Sequence, residues 1–238
     1  MNELETFFKQ RKKEIEQYFQ FLEHLDIDQN KSYTISALGD YVQEDKIFEL
    51  HEIHTQIFKS NCFLLLYNSV EGTVYKSLSF ITESINDERT LTHKDVINEI
   101  QEIWLKYNLL INGNIHKIDS ALIEHFQKYI EDIININFDH FKNEIKGYFG
   151  TSNITDEVIH NEILPKVGIT STKIVERKLD DLKDFRNSLA HGNDSFANIG
   201  SSVSFVELKE YKDKTFKYLD KYIATISDYV LNKRYKIT

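Results

Sequence analysis

The sequence predicts an all-α protein, and three observations carry that prediction. Only one Pro and eight Gly punctuate 238 residues, far fewer turn formers than a sheet-rich chain of this length needs. Apolar residues recur at helical spacing along most of the length, the period that buries one stripe of a helix. Helix-start and helix-stop residues stand at the ends of those stripes. With 41% hydrophobic and 28% charged residues, the composition is that of a globular chain with a sizeable core.

Taken in order, Leu4, Phe7, Phe8, Ile15, Tyr18, Phe19 and Leu22 mark a helix over Leu4–Leu25. The polar stretch Asp26–Asp40 separates it from a long helical pattern over Gln43–Asn86, broken at most once. Its centre, Asn61 to Tyr67, is apolar nearly all round, as expected of a buried central helix. Thr92 and Asp95 form a weakened capping box, followed by Val96, Ile100, Ile103 and Tyr107 as the next apolar face. Asn112-Gly113-Asn114 reads as a turn, and Ser120–Ile145 as another helix. Gly147–Asn153 is the best loop between two halves, but it is too short to be a linker, so one domain over 1–238 is expected. A short helix from Thr155 should end near Leu164, before the lone Pro165. Thr172–Ala190 reads as a helix closed by Gly192. Ser204 and Glu207 then form a capping box with Val203 and Leu208 as its hydrophobic staple. The helix they start should run to about Asn232 with Leu208, Tyr211, Tyr218, Tyr222, Ile226 and Tyr229 inward.

Bulk properties limit the function classes. Twenty-nine basic against 38 acidic residues give a net charge of −9, a poor platform for nonspecific nucleic-acid binding, which rests on neutralising phosphates. A nucleic-acid substrate would need a local basic site or a partner to deliver it. The single cysteine, Cys62, excludes an intramolecular disulfide and reads as a small buried side chain. The acidic start Met1-Asn2-Glu3-Leu4-Glu5 lacks the features of a secretory signal. The longest apolar run, Cys62–Tyr67, is far below the roughly 20 residues of a membrane helix. A cytoplasmic location with no membrane partner is expected.

Most chemistry-bearing patterns reduce to ordinary structure. His51-Glu52-Ile53-His54 has its histidines three apart, one short of the zinc-protease spacing, so no metal site is expected. Scattered single glycines form no phosphate cradle, and no cofactor is implied. The basic tail Lys233-Arg234-Tyr235-Lys236 suits a helix C-terminus.

The exception is Asp184-Phe185-Arg186-Asn187-Ser188-Leu189-Ala190-His191-Gly192. At about 100° per residue, Val175, Leu179, Leu182, Phe185 and Leu189 share one arc, with Arg186 near its middle and Lys178 toward its edge, nearer solvent. An always-charged guanidinium inside an apolar stripe needs a buried carboxylate or a cleft. Asn187 and His191, four apart, share a face at the helix end. A histidine there can move a proton to or from a ribose oxygen, and an arginine can hold a phosphate and its developing charge. With the ribose 2′-hydroxyl as nucleophile no metal is required, and DNA would be spared. One Arg and one His are few for paired acid and base roles, so a two-fold dimer supplying a second copy is the natural solution.

Arg186-Asn187 followed by His191-Gly192 resembles the R-x4-6-H motif of the HEPN superfamily, in its Arg-Asn-x-x-Ala-His-Gly form. Phe63 to Glu71 resembles the central helix of one bacterial HEPN family, and Gly192 to Phe196 through Ile199-Gly200 resembles its post-motif loop. The Tyr-rich closing helix fits too, and 110–150 is the least similar stretch. The resemblance implies a HEPN-like antiparallel helical bundle with additional helices inserted around 90–165. It implies a dimer with a composite ribonuclease site, acting as a toxin or an antiviral or abortive-infection effector. Arg186 and His191 would be catalytic, Asn187 a helper, and Glu71 and Asn68 supporting residues. An antitoxin or ATPase partner would restrain it. Toxins of this kind silenced by nucleotidyl transfer carry a Tyr two places after the motif His; here that place is Asn193, which counts against such control. The competing reading is a non-catalytic binding or assembly module, favoured by the acidic balance.

Overall fold

The computed structural model describes residues 2–25, 32–34, 47–111, 136, 138, 149, 153–170 and 178–237. It is all-α apart from one small strand pair. The chain order is α1 (Glu3–His24), β1 (Ser32–Thr34), β2 (Ile47–Glu49), α2 (Glu52–Asp87) and α3 (Asn98–Ile111). There follow α4 (Asp156–Val158), a π turn (Ile159–Ile163), α5 (Leu164–Lys166), α6 (Lys178–His191), α7 (Phe196–Ser201) and α8 (Phe205–Leu231). The turn expected at Asn112-Gly113-Asn114, the helix over Ser120–Ile145 and the first residues of the Thr172 helix lie outside the described residues, as does most of the Gly147–Asn153 loop.

Several boundaries differ from the sequence reading for local reasons. The long central helix begins at Glu52 and not near Gln43, because Ile47–Glu49 pairs antiparallel with Ser32–Thr34. His51 marks its start: the His51 N–H donates to Nδ1 of His54 at 3.0 Å, so both histidines serve the helix end. Among the described residues no cluster suited to a metal ion occurs. Thr92 and Asp95 do pair, the carboxylate accepting from the Thr92 N–H at 2.7 Å and its hydroxyl at 2.8 Å. They close a single 3-10 turn, however, and α3 starts three residues later. Pro165 does not end its helix either. The widened π turn precedes it, and Pro165 sits inside the last helical turn; an inserted residue re-registers the backbone ladder where proline has no N–H to give.

The chain divides into two compact units. The first comprises Phe7–Val70 and Glu176–Tyr218. Here α1 and α8 run antiparallel, with Phe8 edge-on to Phe216 at 6.1 Å and Phe19 stacked on Phe205 at 6.0 Å. Phe63 of α2 stacks on Phe185 at 4.2 Å and meets the edge of Tyr211 at 5.4 Å. Pairs of this kind add about 0.5–1.5 kcal/mol each beyond their burial. The α8 start is as the sequence predicts: Ser204 Oγ accepts from the Glu207 N–H at 3.2 Å, and Glu207 accepts from the Ser204 N–H at 2.8 Å. Val203 and Leu208 are both buried beside it. Cys62 is buried and free, and burial pushes its thiol up to about 12, an unreactive state.

The second unit comprises Met1–Thr6, Glu71–Val175 and Leu219–Thr238. Its core holds Val74, Leu78, Ile81, Ile85, Tyr222 and Ile226. The buried tyrosines find partners: the Tyr222 and Ser77 hydroxyls lie 2.6 Å apart, and Tyr229 donates to the Val167 carbonyl at 2.6 Å. The basic tail does more than complement a helix end. Tyr235 and Lys236 both donate to the Glu88 carboxylate, and Lys233 lies 3.0 Å from it. The Tyr235 carbonyl accepts from the Ile97 N–H at 2.9 Å.

Burial raises the Glu88 carboxyl, but the donors Lys236, Tyr235 and Lys233 outweigh it and bring the group down to about 2. A depressed carboxylate stabilises the fold fully above its ordinary 4.5, and that contribution fades as the pH falls toward 2. Glu88→Gln is therefore expected to cost about 1–2 kcal/mol at pH 7. Urea denaturation should show the gap between variant and parent narrowing between pH 4.5 and 3; a gap constant with pH would refute this account.

Candidate active site

Helix α6 carries the unusual segment. Leu179, Leu182 and Leu189 are buried and Phe185 half-buried against Phe63. This is the apolar arc the sequence predicts, apart from Val175, which lies outside the described residues. Arg186 is half-buried on the same helix. Its Nη1 donates to Asn187 Oδ1 at 2.9 Å, and its guanidinium carbon lies 5.1 Å from the centre of the Tyr67 ring. Among the described residues it makes no ion pair, so no buried carboxylate explains its place. Asn187 and the Tyr67 ring, the groups it meets, are both neutral.

The helix ends one turn later in a Schellman arrangement. The Asn193 N–H donates to the Ser188 carbonyl at 3.0 Å and the Gly192 N–H to the Leu189 carbonyl at 3.4 Å. Gly192 has φ +68°, the left-handed conformation that lets the chain leave the axis. His191 is the last helical residue and exposed, with no side-chain partner among the described residues. Arg186 and His191 are five apart, about 140° around the helix. Asn187 links them: it bonds Arg186 directly and shares a face with His191.

The post-motif segment is not a loop throughout. Asp194 accepts from the Ser195 N–H at 2.8 Å, and Ser195 Oγ caps α7 through the Asn198 N–H at 3.1 Å. Ser60 of α2 donates to the Phe196 carbonyl, and Gly200 lies directly against the backbone of Gln56. The stretch after His191 is thereby fastened to α2 by one side-chain hydrogen bond and one close backbone approach. Ser60 does not stand out in the sequence, and Gly200 is marked there only as part of the post-motif resemblance, because a close approach between helices leaves no periodic signal.

The other site residues read from the sequence are less engaged. Asn68 follows Tyr67 on α2, is exposed, and makes no hydrogen bond to Arg186 or Asn187. Glu71, half-buried one turn beyond Tyr67, opens the second unit. Tyr67 itself, read from the sequence only as core, is the ring under Arg186. Lys178, half-buried at the edge of the arc, has its amine 3.9 Å from the centre of the Tyr211 ring. Tyr211 donates to Asp181 at 3.0 Å, and burial together with that carboxylate pushes its phenol well above its ordinary value. A groove in the second unit is lined by Glu99, Glu102 and Glu162 together with Lys106 and Lys166, a mixed lining with no excess of positive charge to hold a phosphate chain.

No helix among the described residues is long and apolar enough to cross a membrane. No curated protein and no solved structure gives a significant match. A family model does, over residues 1–235, which takes in the Arg186–His191 segment, the central helix and the closing helix alike. The chain belongs to the HEPN_MAE_28990-like HEPN family.

Proposed function

We propose that this protein is a metal-independent endoribonuclease that acts as a homodimer, in the manner of a toxin or antiviral effector. The observation that carries the reading is Arg186: a half-buried guanidinium, oriented by Asn187 and Tyr67 without neutralisation, one turn before an exposed histidine. The arginine would hold the scissile phosphate and stabilise the charge that builds on its oxygens. One His191 would take the proton of the ribose 2′-hydroxyl as its oxygen bonds to phosphorus. As the bond from phosphorus to the 5′-oxygen breaks, the second His191 of the dimer would return a proton to that oxygen. The products are a 2′,3′-cyclic phosphate and a free 5′-hydroxyl. Every reacting group is on the protein or the RNA, so the step requires no metal, and a strand without the 2′-hydroxyl is not a substrate.

The overall charge of −9 argues for a restricted substrate and for a partner, an antitoxin or an ATPase, that holds the enzyme in check or delivers the RNA. The test is incubation of the purified protein with RNA in excess EDTA, followed by mapping of the product ends. Cleavage with cyclic phosphate ends, and none of the DNA counterpart, is the expected result. If a folded dimer leaves every RNA intact, or cuts only after a divalent ion is restored, the proposal is wrong. The first of those outcomes would favour a binding or assembly role for the same helices.

A further inference from the structure

We infer that Tyr67 is a positioning residue for Arg186, holding the guanidinium by the negative face of its ring; the inference rests on the ribonuclease reading only where activity is the readout. A half-buried arginine can be oriented in two ways. A carboxylate would align it through paired hydrogen bonds but would also cancel its charge and compete with an incoming phosphate. An aromatic face and an amide oxygen align it and leave the full positive charge in place. This chain uses the second way. The guanidinium carbon lies 5.1 Å from the Tyr67 ring centre and Nη1 bonds Asn187 Oδ1 at 2.9 Å.

The ring is well fixed for this work. Tyr67 is 1% exposed and belongs to the core of α2. Its neighbour on that face of the helix, Phe63, is stacked on Phe185, the residue just before Arg186. The two aromatic contacts on successive residues of α6 determine where α6 lies against α2 and, with it, where the guanidinium sits. A lysine at 186 has no planar group to lie on the ring, so Arg186→Lys would keep the charge and lose the alignment.

The test changes the electronics of the ring and keeps its shape. Phe at position 67 retains the negative face; pentafluorophenylalanine at 67 reverses it with almost the same volume. RNA cleavage by the Phe variant should match the parent within about twofold, whereas the fluorinated variant should lose about tenfold in kcat with little change in KM. Equal kcat in the two variants would overturn the inference, since a purely structural ring would tolerate both. A second readout is independent of catalysis. In the NMR spectrum of the parent, the Arg186 guanidinium protons should carry an upfield ring-current shift that the Phe variant keeps and the fluorinated variant loses. Resonances at solvent-exposed arginine values in the parent would refute the positioning role even where RNA is cut. The expected shifts in a protein that cuts no RNA would uphold the contact and count against the ribonuclease reading alone.

Discussion

Replacement of His191 by alanine is expected to lower RNA cleavage by about 10²- to 10⁴-fold, the usual worth of a positioned proton-transfer group, and to leave the fold intact. The structural side is favourable to a clean result. His191 is exposed at the last position of α6 and holds nothing among the described residues, while the helix end is closed by Gly192 and two backbone hydrogen bonds. Arg186→Ala should reduce cleavage to a similar extent, because it removes the group that would meet charge on the phosphate. Its effect on stability should be small as well: removing a half-buried cation without a carboxylate partner strands no opposite charge. Single-turnover cleavage together with thermal denaturation separates the two effects. A His191→Ala protein that cuts as fast as its parent would rule out the proposed chemistry. The dimer can be tested with the same variant. Parent protein mixed with an excess of His191→Ala should lose more activity than dilution accounts for, because mixed dimers replace intact ones.

Gly200→Ala should be the most damaging single methyl in the described structure. A Cβ built at Gly200 would lie 1.8 Å from the Gln56 carbonyl oxygen, 2.5 Å from its carbonyl carbon and 2.8 Å from its Cα. All three are backbone atoms, so no side chain can turn away, and either α7 or the start of α2 has to move. Overpacking of this kind costs about 3 kcal/mol or more, which lowers Tm by about 6–12 °C in a chain of this size. The shift would also pull the Phe196 carbonyl from Ser60 and loosen the segment that follows His191. Gly192→Ala is the informative control. Nothing lies within 4 Å of its added Cβ, but its φ of +68° leaves only the left-handed strain, about 1–2 kcal/mol. Thermal denaturation of both variants decides the matter: a Gly200→Ala protein as stable as Gly192→Ala would show that the close approach to Gln56 is relaxed in solution.

Much of the helical skeleton was legible because its signals are short in range. The inward faces of α1 and α8, the Ser204–Glu207 cap and the Gly192 stop are set by residues three or four apart, and helical periodicity exposes them. The misplaced boundaries arose where a distant strand partner in one case, and a local turn in the other, outweighed the helical pattern. Ile47–Glu49 left the helical register to pair with Ser32–Thr34, and Thr92–Asp95 spent its hydrogen bonds on a single turn ahead of α3. The tail residues Tyr235 and Lys236 reach back to Glu88, a contact that no window of a few residues contains.

For the candidate site, the sequence by itself determined that an arginine stands in an apolar stripe one turn before a histidine and a helix-ending glycine. Those facts follow from composition and the 3.6-residue period alone. What faces Arg186 was decided only by tertiary structure: Tyr67 beneath the guanidinium, Asn187 at its edge, and no carboxylate beside it among the described residues. The same holds for Gly200 against Gln56. Period and capping are properties of one helix and are written in consecutive residues, whereas a ring under a cation or a carbonyl against a glycine depends on how two helices approach, which long-range packing alone determines.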